Sequence, residues 1–143
     1  MNVAAILKAK GRLVTTARAE DSVEDVARAI AAKRIGALVI VNEAGAVQGI
    51  VSERDIVRGI GEKGIEILRR PVSDLMTKNV VTCSEQHSLD EMMGVMTQGR
   101  FRHVPVVVDG KLAGIISIGD VVKHHIAAVQ LEVTAMREYL ATG

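Results

Sequence analysis

The sequence predicts an α+β domain, a pseudo-twofold repeat of β-α-β-β-α units with an extended C-terminal helix. Three observations carry this. The chain repeats itself once: Ser22 aligns with Ser88 and Asp55 with Asp120. Around these anchors Val14, Thr16, Arg34, Val41, Gly45, Gly49, Ile50, Ser52 and Val57 each meet an identical residue in the second copy. Within each copy apolar residues at helical spacing alternate with short apolar runs, the mark of helices alternating with buried strands. Finally, 143 residues that are 48% hydrophobic suffice for one compact domain or two small halves sharing a core. A unit of this length present only twice implies paired half-domains, not an open solenoid.

Taken in order, the elements follow from local chemistry. Ahead of each copy lies a short apolar motif, Val3-x-x-Ile6-Leu7 or Val72-x-x-Leu75-Met76. Each copy then opens on an extended piece rich in β-branched residues, Val14-Thr15-Thr16 or Val80-Val81-Thr82. A helix follows, with apolar residues at i, i+3, i+4 and i+7: Val23, Val26, Ala27 and Ile30, then Leu89, Met92, Met93 and Met96. Ser88-x-x-Glu91 has the spacing of a capping box for the second of them. The apolar runs Ala37–Val41 and His103–Val108 read as buried strands, each followed by a Gly-containing turn and a further strand, 47–51 or 112–116. The turns absorb the one-residue difference between copies, Asn42-Glu43-Ala44-Gly45 becoming Val108-Asp109-Gly110. A last helix starts at Ser52 and at Ser117. The stretch 59–79 holds Gly59, Gly61, Gly64 and Pro71 and predicts a crossing linker. After Asp120 the helix runs on: Val122, Ile126, Val129, Val133, Met136 and Leu140 are spaced 4, 3, 4, 3, 4, a heptad seam. It either meets a second copy or packs on the first half of its own chain; we assign it to a homodimer.

Composition excludes several classes. With 18 Lys+Arg against 17 Asp+Glu there is no broad basic field, and Phe101 and Tyr139 alone cannot form a base-stacking platform. We therefore expect no nucleic-acid partner. Cys83 is the single cysteine, so no disulfide frame or Cys-rich zinc cluster is expected, and it reads as an apolar filler in a reducing compartment. No apolar run reaches membrane-spanning length and no signal peptide is evident, so the expected setting is cytoplasmic and off the membrane. Gly59-Ile60-Gly61-Glu62-Lys63-Gly64 spells a dinucleotide fingerprint, but it follows a helix and not a strand, and is read as a chance match in a turn. His124 and His125 are adjacent and diverge by about 100° on a helix, so no metal spacing emerges. No residue reads as catalytic.

Gly-Ile-Val-Ser-Glu-Arg-Asp (49–55), Gly-Ile-Ile-Ser-Ile-Gly-Asp (114–120) and Arg100-Phe101-Arg102-His103-Val104-Pro105-Val106-Val107 carry a family likeness. The repeat resembles the cystathionine-β-synthase (CBS) domain, and two in tandem form a CBS pair, or Bateman module, here similar to the stand-alone bacterial type. On this reading residues 1–143 are one module, with 12–60 the first repeat, 61–79 a linker with a short helix, 80–126 the second repeat, and 127–143 the helical extension. The resemblance implies clefts between the repeats that take up adenosine ligands. AMP is the first expectation and ATP or NAD the next, as regulatory ligands with no obligatory cofactor. It also implies a homodimer and an unknown downstream protein partner.

The family motif maps onto Ser52 and Asp55 and again onto Ser117 and Asp120, with the carboxylate on the ribose hydroxyls. Chemistry agrees: an ionised Asp accepts both donors of a vicinal diol, and a Ser at a helix start leaves backbone N–H groups for phosphate. Ser-x-x-Asp also makes a helix cap, and one residue can cap and bind. By resemblance, Arg54, Arg102 and His103 reach the phosphates; Arg58 and its counterpart Lys123 fit either that task or a solvated face. Adenine is expected between aliphatic side chains, read by backbone near Thr15-Thr16, Gly36-Ala37-Leu38, Thr82-Cys83 and Val104-Pro105. The first copy has Gly36-Ala37 where the second has Arg102-His103, so the two clefts are expected to be unequal. The expected function is a non-enzymatic energy or metabolite sensor; the alternative is a structural homodimerisation module without ligand.

Overall fold

An antiparallel hairpin clasped by two helices is the unit of each half, and the computed structural model describes residues 1–142. Helix α1 (Val3–Lys10) comes first, capped by Asn2, whose side chain accepts from the Ala5 N–H at 3.1 Å. The first half comprises β1 (Thr16–Ala17), α2 (Val23–Lys33), β2 (Ala37–Val41), β3 (Val47–Ser52) and α3 (Glu53–Lys63). The second comprises α4 (Leu89–Gly99), β4 (His103–Val108), β5 (Lys111–Ser117) and α5 (Ile118–Thr142). The two hairpins share one register: Ala37 lies opposite Ser52 as His103 lies opposite Ser117. Each also carries an irregularity before its turn, between Ile40 and Val41 or between Val106 and Val107. Helices α2 and α4 start at Ser22 and Ser88, whose hydroxyls accept the N–H of Asp25 and Glu91, and both end on an arginine in the left-handed region, Arg34 (φ 54°) and Arg100 (φ 56°).

The leading strands are shorter than the sequence suggested. β1 is two residues long and parallel to β2, with Thr16 opposite Val39. No strand forms at 80–82; a single parallel bridge joins Cys83 to Val106 instead, the Cys83 N–H donating to the Pro105 carbonyl at 3.0 Å. Val80 and Val81 turn towards the space between the halves. The 59–64 stretch also differs from the expected flexible turn. α3 runs through Gly59 and Gly61 and ends only at Gly64 (φ 81°), after which two 3₁₀ turns, Ile65–Arg69 and Val72–Asp74, make the crossing.

The halves interlock by exchanging their leading segments. Val3 N–H donates to the His87 carbonyl (2.9 Å) and Ala4 N–H to that of Glu85 (3.0 Å), so α1 docks on the second half. Correspondingly Val72 N–H donates to Asp21 (2.7 Å) and Ser73 N–H to Ala19 (3.1 Å), so the crossing segment docks on the first. Two cores result. Val3, Ile6 and Leu7 complete one with Leu89, Met92, Met96, Val104, Val106 and Ile116; Val72 joins Val23, Val26, Ile30, Leu38, Ile40 and Val51 in the other. The repeated glycine of the Gly-Ile-x-Ser motif belongs to this exchange. A Cβ on Gly49 would lie 2.4 Å from the Met76 sulfur, and one on Gly114 would lie 2.7 Å from a Leu7 methyl.

Helix α5 packs its first turns on α4, β5 and α1, burying Val121, but from residue 129 to residue 142 every position is exposed. No helix among the described residues is long and apolar enough to cross a membrane.

Candidate functional site

The β3–α3 junction turns the chain sharply where one hairpin faces the other. Ser52 caps α3 through the Asp55 N–H at 3.3 Å, and Asp55 Oδ2 returns the bond, accepting from the Ser52 N–H at 2.9 Å and its hydroxyl at 3.1 Å. The expected cap is therefore present, and it occupies one carboxylate oxygen. The other, Oδ1, faces Arg58 Nη1 at 3.8 Å, beyond hydrogen-bonding distance.

A cleft of about 590 Å³ opens over this junction, within the about 300–1,000 Å³ usual for small-molecule sites. Ser52, Arg54 and Asp55 line it from the first half, Arg102 and His103 from the second, and Gly36 and Ala37 from the start of β2. Gly36 lies close under the opposite half: a Cβ on it would sit 3.1 Å from the His103 ring, a tight contact. Four arginines, Arg54, Arg58, Arg100 and Arg102, and two acidic residues, Glu53 and Asp55, are among the lining residues. Ile50, Val80, Val81 and Phe101 supply apolar wall. His103 adds no cation at neutral pH. Its burial, the Lys10 ammonium and the Arg102 guanidinium hold its pKa below the ordinary histidine value, against the pull of Asp120 and Glu53.

Six of the sequence candidates do not line this cleft. Thr16 and Thr82 are exposed on the leading segments, Pro105 is buried within β4, and Lys123 is exposed on α5. Ser117 and Asp120 form the second junction, which repeats the first cap: the Ser117 N–H donates to Asp120 Oδ2 at 2.8 Å and the Asp120 N–H to Ser117 Oγ at 3.1 Å. This carboxylate has a resident partner, however. Lys10 Nζ lies 2.7 Å from Asp120 Oδ2 and donates also to the Ile115 carbonyl at 2.9 Å. Burial pushes the Asp120 carboxyl up, but the Lys10 ammonium and the Ser117 N–H outweigh it and hold the group below the usual carboxylate range.

The sequence reading missed Thr77, Asn79, Val80, Val81 and Phe101 as cleft residues. Thr77 and Asn79 enter it on the crossing segment, Val80 and Val81 on the piece that follows, and Phe101 on the link between α4 and β4. Cys83 is buried and free, and burial pushes its thiol up to about 11, which suits packing and not nucleophilic chemistry. Among the described residues no group of three or more His, Cys, Asp or Glu side chains could hold a metal ion.

Two interlocked half-domains with a charged cleft at their junction define a paired-repeat module. The chain belongs to the CBS domain family, whose model matches residues 12–62 and 72–126. It is 31% identical to the CBS domain-containing protein CBSX3, mitochondrial, of Arabidopsis thaliana, over 96% of this chain and 71% of that protein. Among solved structures it is similar to the CBS-domain containing protein ATU1752 from Agrobacterium tumefaciens. That likeness has a TM-score of 0.84 and 46% identity, covering 87% of this chain and 99% of that one. It also matches the CBS domain pair of protein MJ0100, solved in complex with 5′-methylthioadenosine and S-adenosyl-L-methionine. Here the TM-score is 0.79 and the identity 26%, over 90% of this chain and 98% of that one.

Proposed function

We propose that this CBS pair is a regulatory module that binds an adenosine nucleotide in the Asp55 cleft, AMP first and ATP or NAD next. The observation that carries the reading is Asp55 itself. Its capping bonds use Oδ2 and leave Oδ1 to a ribose hydroxyl, in a cleft that also presents four guanidinium groups and an apolar wall. The complex of the MJ0100 pair with two adenosine compounds supports the ligand class. The guanidinium groups favour a phosphate-bearing member of it over the uncharged 5′-methylthioadenosine.

A thermal-shift panel tests this, with AMP, ADP, ATP, NAD, NADH, S-adenosylmethionine, 5′-methylthioadenosine and GTP. A ligand present at 100 times its Kd stabilises the folded state by about 2.7 kcal/mol, several degrees in Tm for a domain of this size. The expected result is a shift with AMP that exceeds those with 5′-methylthioadenosine and GTP and disappears in Asp55→Asn. No shift with any adenosine compound would leave the dimerisation module as the better reading.

The exposed α5 seam supports a second part of the proposal, that the module works as a homodimer. Val122, Ile126, Val129, Val133, Met136 and Leu140 form one apolar stripe, and each of them is exposed in the chain by itself. In a parallel pair, Glu132 and Arg137 occupy the flanking positions five residues apart whose charges meet across a two-stranded coil. A downstream protein would then read a ligand-dependent change in the dimer surface, which requires that the nucleotide bind two arrangements of the halves with different affinity.

A further inference from the structure

We propose that Lys10 is the built-in occupant of the Asp120 site, so that each chain takes one nucleotide, at Asp55, and Lys10 is the residue that sets this selectivity. The inference rests on the nucleotide reading of the Asp55 cleft. The two junctions are otherwise alike: Ser52 and Ser117 cap their helices, Asp55 and Asp120 return the bond, and each carboxylate follows a strand of the same register. What differs is the segment that crosses from the opposite end of the chain.

The crossing segments align as Val3 with Val72, Leu7 with Met76 and Lys10 with Asn79. The 3₁₀ turn of this segment ends at Asp74, and Thr77 then bridges to β3: it exchanges two backbone hydrogen bonds with Ile50, the N–H of each donating to the carbonyl of the other at 2.9 and 3.1 Å. This delivers the neutral Asn79 to the cleft wall, and the cation paired with Asp55, Arg58, stands 3.8 Å from Oδ1, beyond hydrogen-bonding distance. α1, by contrast, stays helical to its last turn at Lys10. Backbone pairing with β5 is then impossible, and the Lys10 ammonium substitutes for it, bonding the carbonyl of Ile115, the counterpart of Ile50. The same ammonium closes on Asp120 at 2.7 Å.

A nucleotide at Asp120 would have to displace this lysine, losing a charge-assisted hydrogen bond and leaving a strand carbonyl to find a new donor. It would gain little in return, because Gly36 and Ala37 stand where the other copy carries Arg102 and His103. At Asp55 neither obstacle exists.

Equilibrium dialysis of the full chain against AMP tests this by stoichiometry. The unaltered protein is expected to bind one AMP per chain, to retain it in Asp120→Asn and to lose it in Asp55→Asn. Lys10→Asn, which copies the Asn79 arrangement, is expected to bind two, and Lys10→Met likewise; adding Asp120→Asn to either returns the count to one. Two AMP per chain in the unaltered protein would overturn the inference and leave the proposed function standing. A count that stays at one in both Lys10 variants would overturn it as well. No binding by any variant, of AMP or of ATP or NAD dialysed in its place, would remove the nucleotide reading, and this inference with it.

Discussion

Asp55 divides its two oxygens between helix and cleft, and this division makes its contribution separable. Asp55→Asn keeps an oxygen to accept from the Ser52 N–H, so it should cost at most about 1 kcal/mol in a urea titration, while AMP binding followed by calorimetry falls below detection. Gly49 and Gly114 invite the opposite test, because neither is needed by any ligand. Each lies under a side chain from the crossing segment, Met76 or Leu7, so Gly49→Ala and Gly114→Ala should each lose about 1–3 kcal/mol through forced displacement, read as a lower urea midpoint. His103 sets a pH dependence. Its folded pKa lies below the 6.5 of an unperturbed histidine, so the unfolded chain takes the proton more readily. Stability contributed by the neutral ring is complete above about pH 7 and is lost as pH falls through 6.5 towards the folded value. Urea midpoints between pH 7.5 and 5 should therefore drop less in His103→Gln than in the parent protein. At this scale repetition and family likeness both point to Ser52 and Asp55, and the likeness alone to Arg102 and His103; all four line the cleft. Lys10 was not legible: it lies outside both repeats, and nothing local distinguishes it from a solvated lysine at a helix end. Only the alignment of Lys10 with Asn79, together with the exchange of segments, gives it a role.

Among the elements, strands and helices buried on one side were readable, since their periodicity is set by their own residues. Ala37–Val41 and His103–Val108 have the bounds the apolar runs indicated. The leading strands were not, because two or three residues pairing in parallel with an already formed hairpin leave no periodic signature; at Cys83 only a bridge survives. The end of α3 was misjudged for a related reason. Gly59 tolerates the helix interior because Leu75 packs where its Cβ would lie, at 2.6 Å. Helix α2 ends on Arg34 with φ 54°, a conformation that glycine adopts without strain, so Arg34→Gly should raise stability by a few tenths to about 1 kcal/mol, visible as a higher Tm. For α5, a charged pair of substitutions on the seam, Val129→Asp with Val133→Asp, is expected to halve the mass measured by light scattering. It should also lower the helical signal at 222 nm, since the exposed half of α5 has no other support. An unchanged mass would place the contact elsewhere.

At the level of the whole molecule, the exchange of leading segments makes each core depend on residues remote in sequence. Leu7, 1% exposed, belongs to the second core. Leu7→Ala should cost about 2–5 kcal/mol, and in hydrogen exchange it should deprotect β4, β5 and α4 well before β2 and β3. Deprotection spread evenly over both hairpins would mean that the two cores open as one unit. The pseudo-twofold plan was legible from the repeat, whereas the exchange was not, because two matching motifs ahead of two matching copies do not reveal which docks on which. The exchange also orders events during synthesis. The first core is complete once Met76 has emerged, since its distal contribution is Val72 and the chain around it. The apolar face of α1, made ahead of both repeats, has no resting place until β5 and its Ile116 exist, more than 100 residues later. Such a contact closes a long loop late and slowly, so the nascent chain carries Ile6 and Leu7 uncovered until the second hairpin is made, a window in which a holding chaperone would find them.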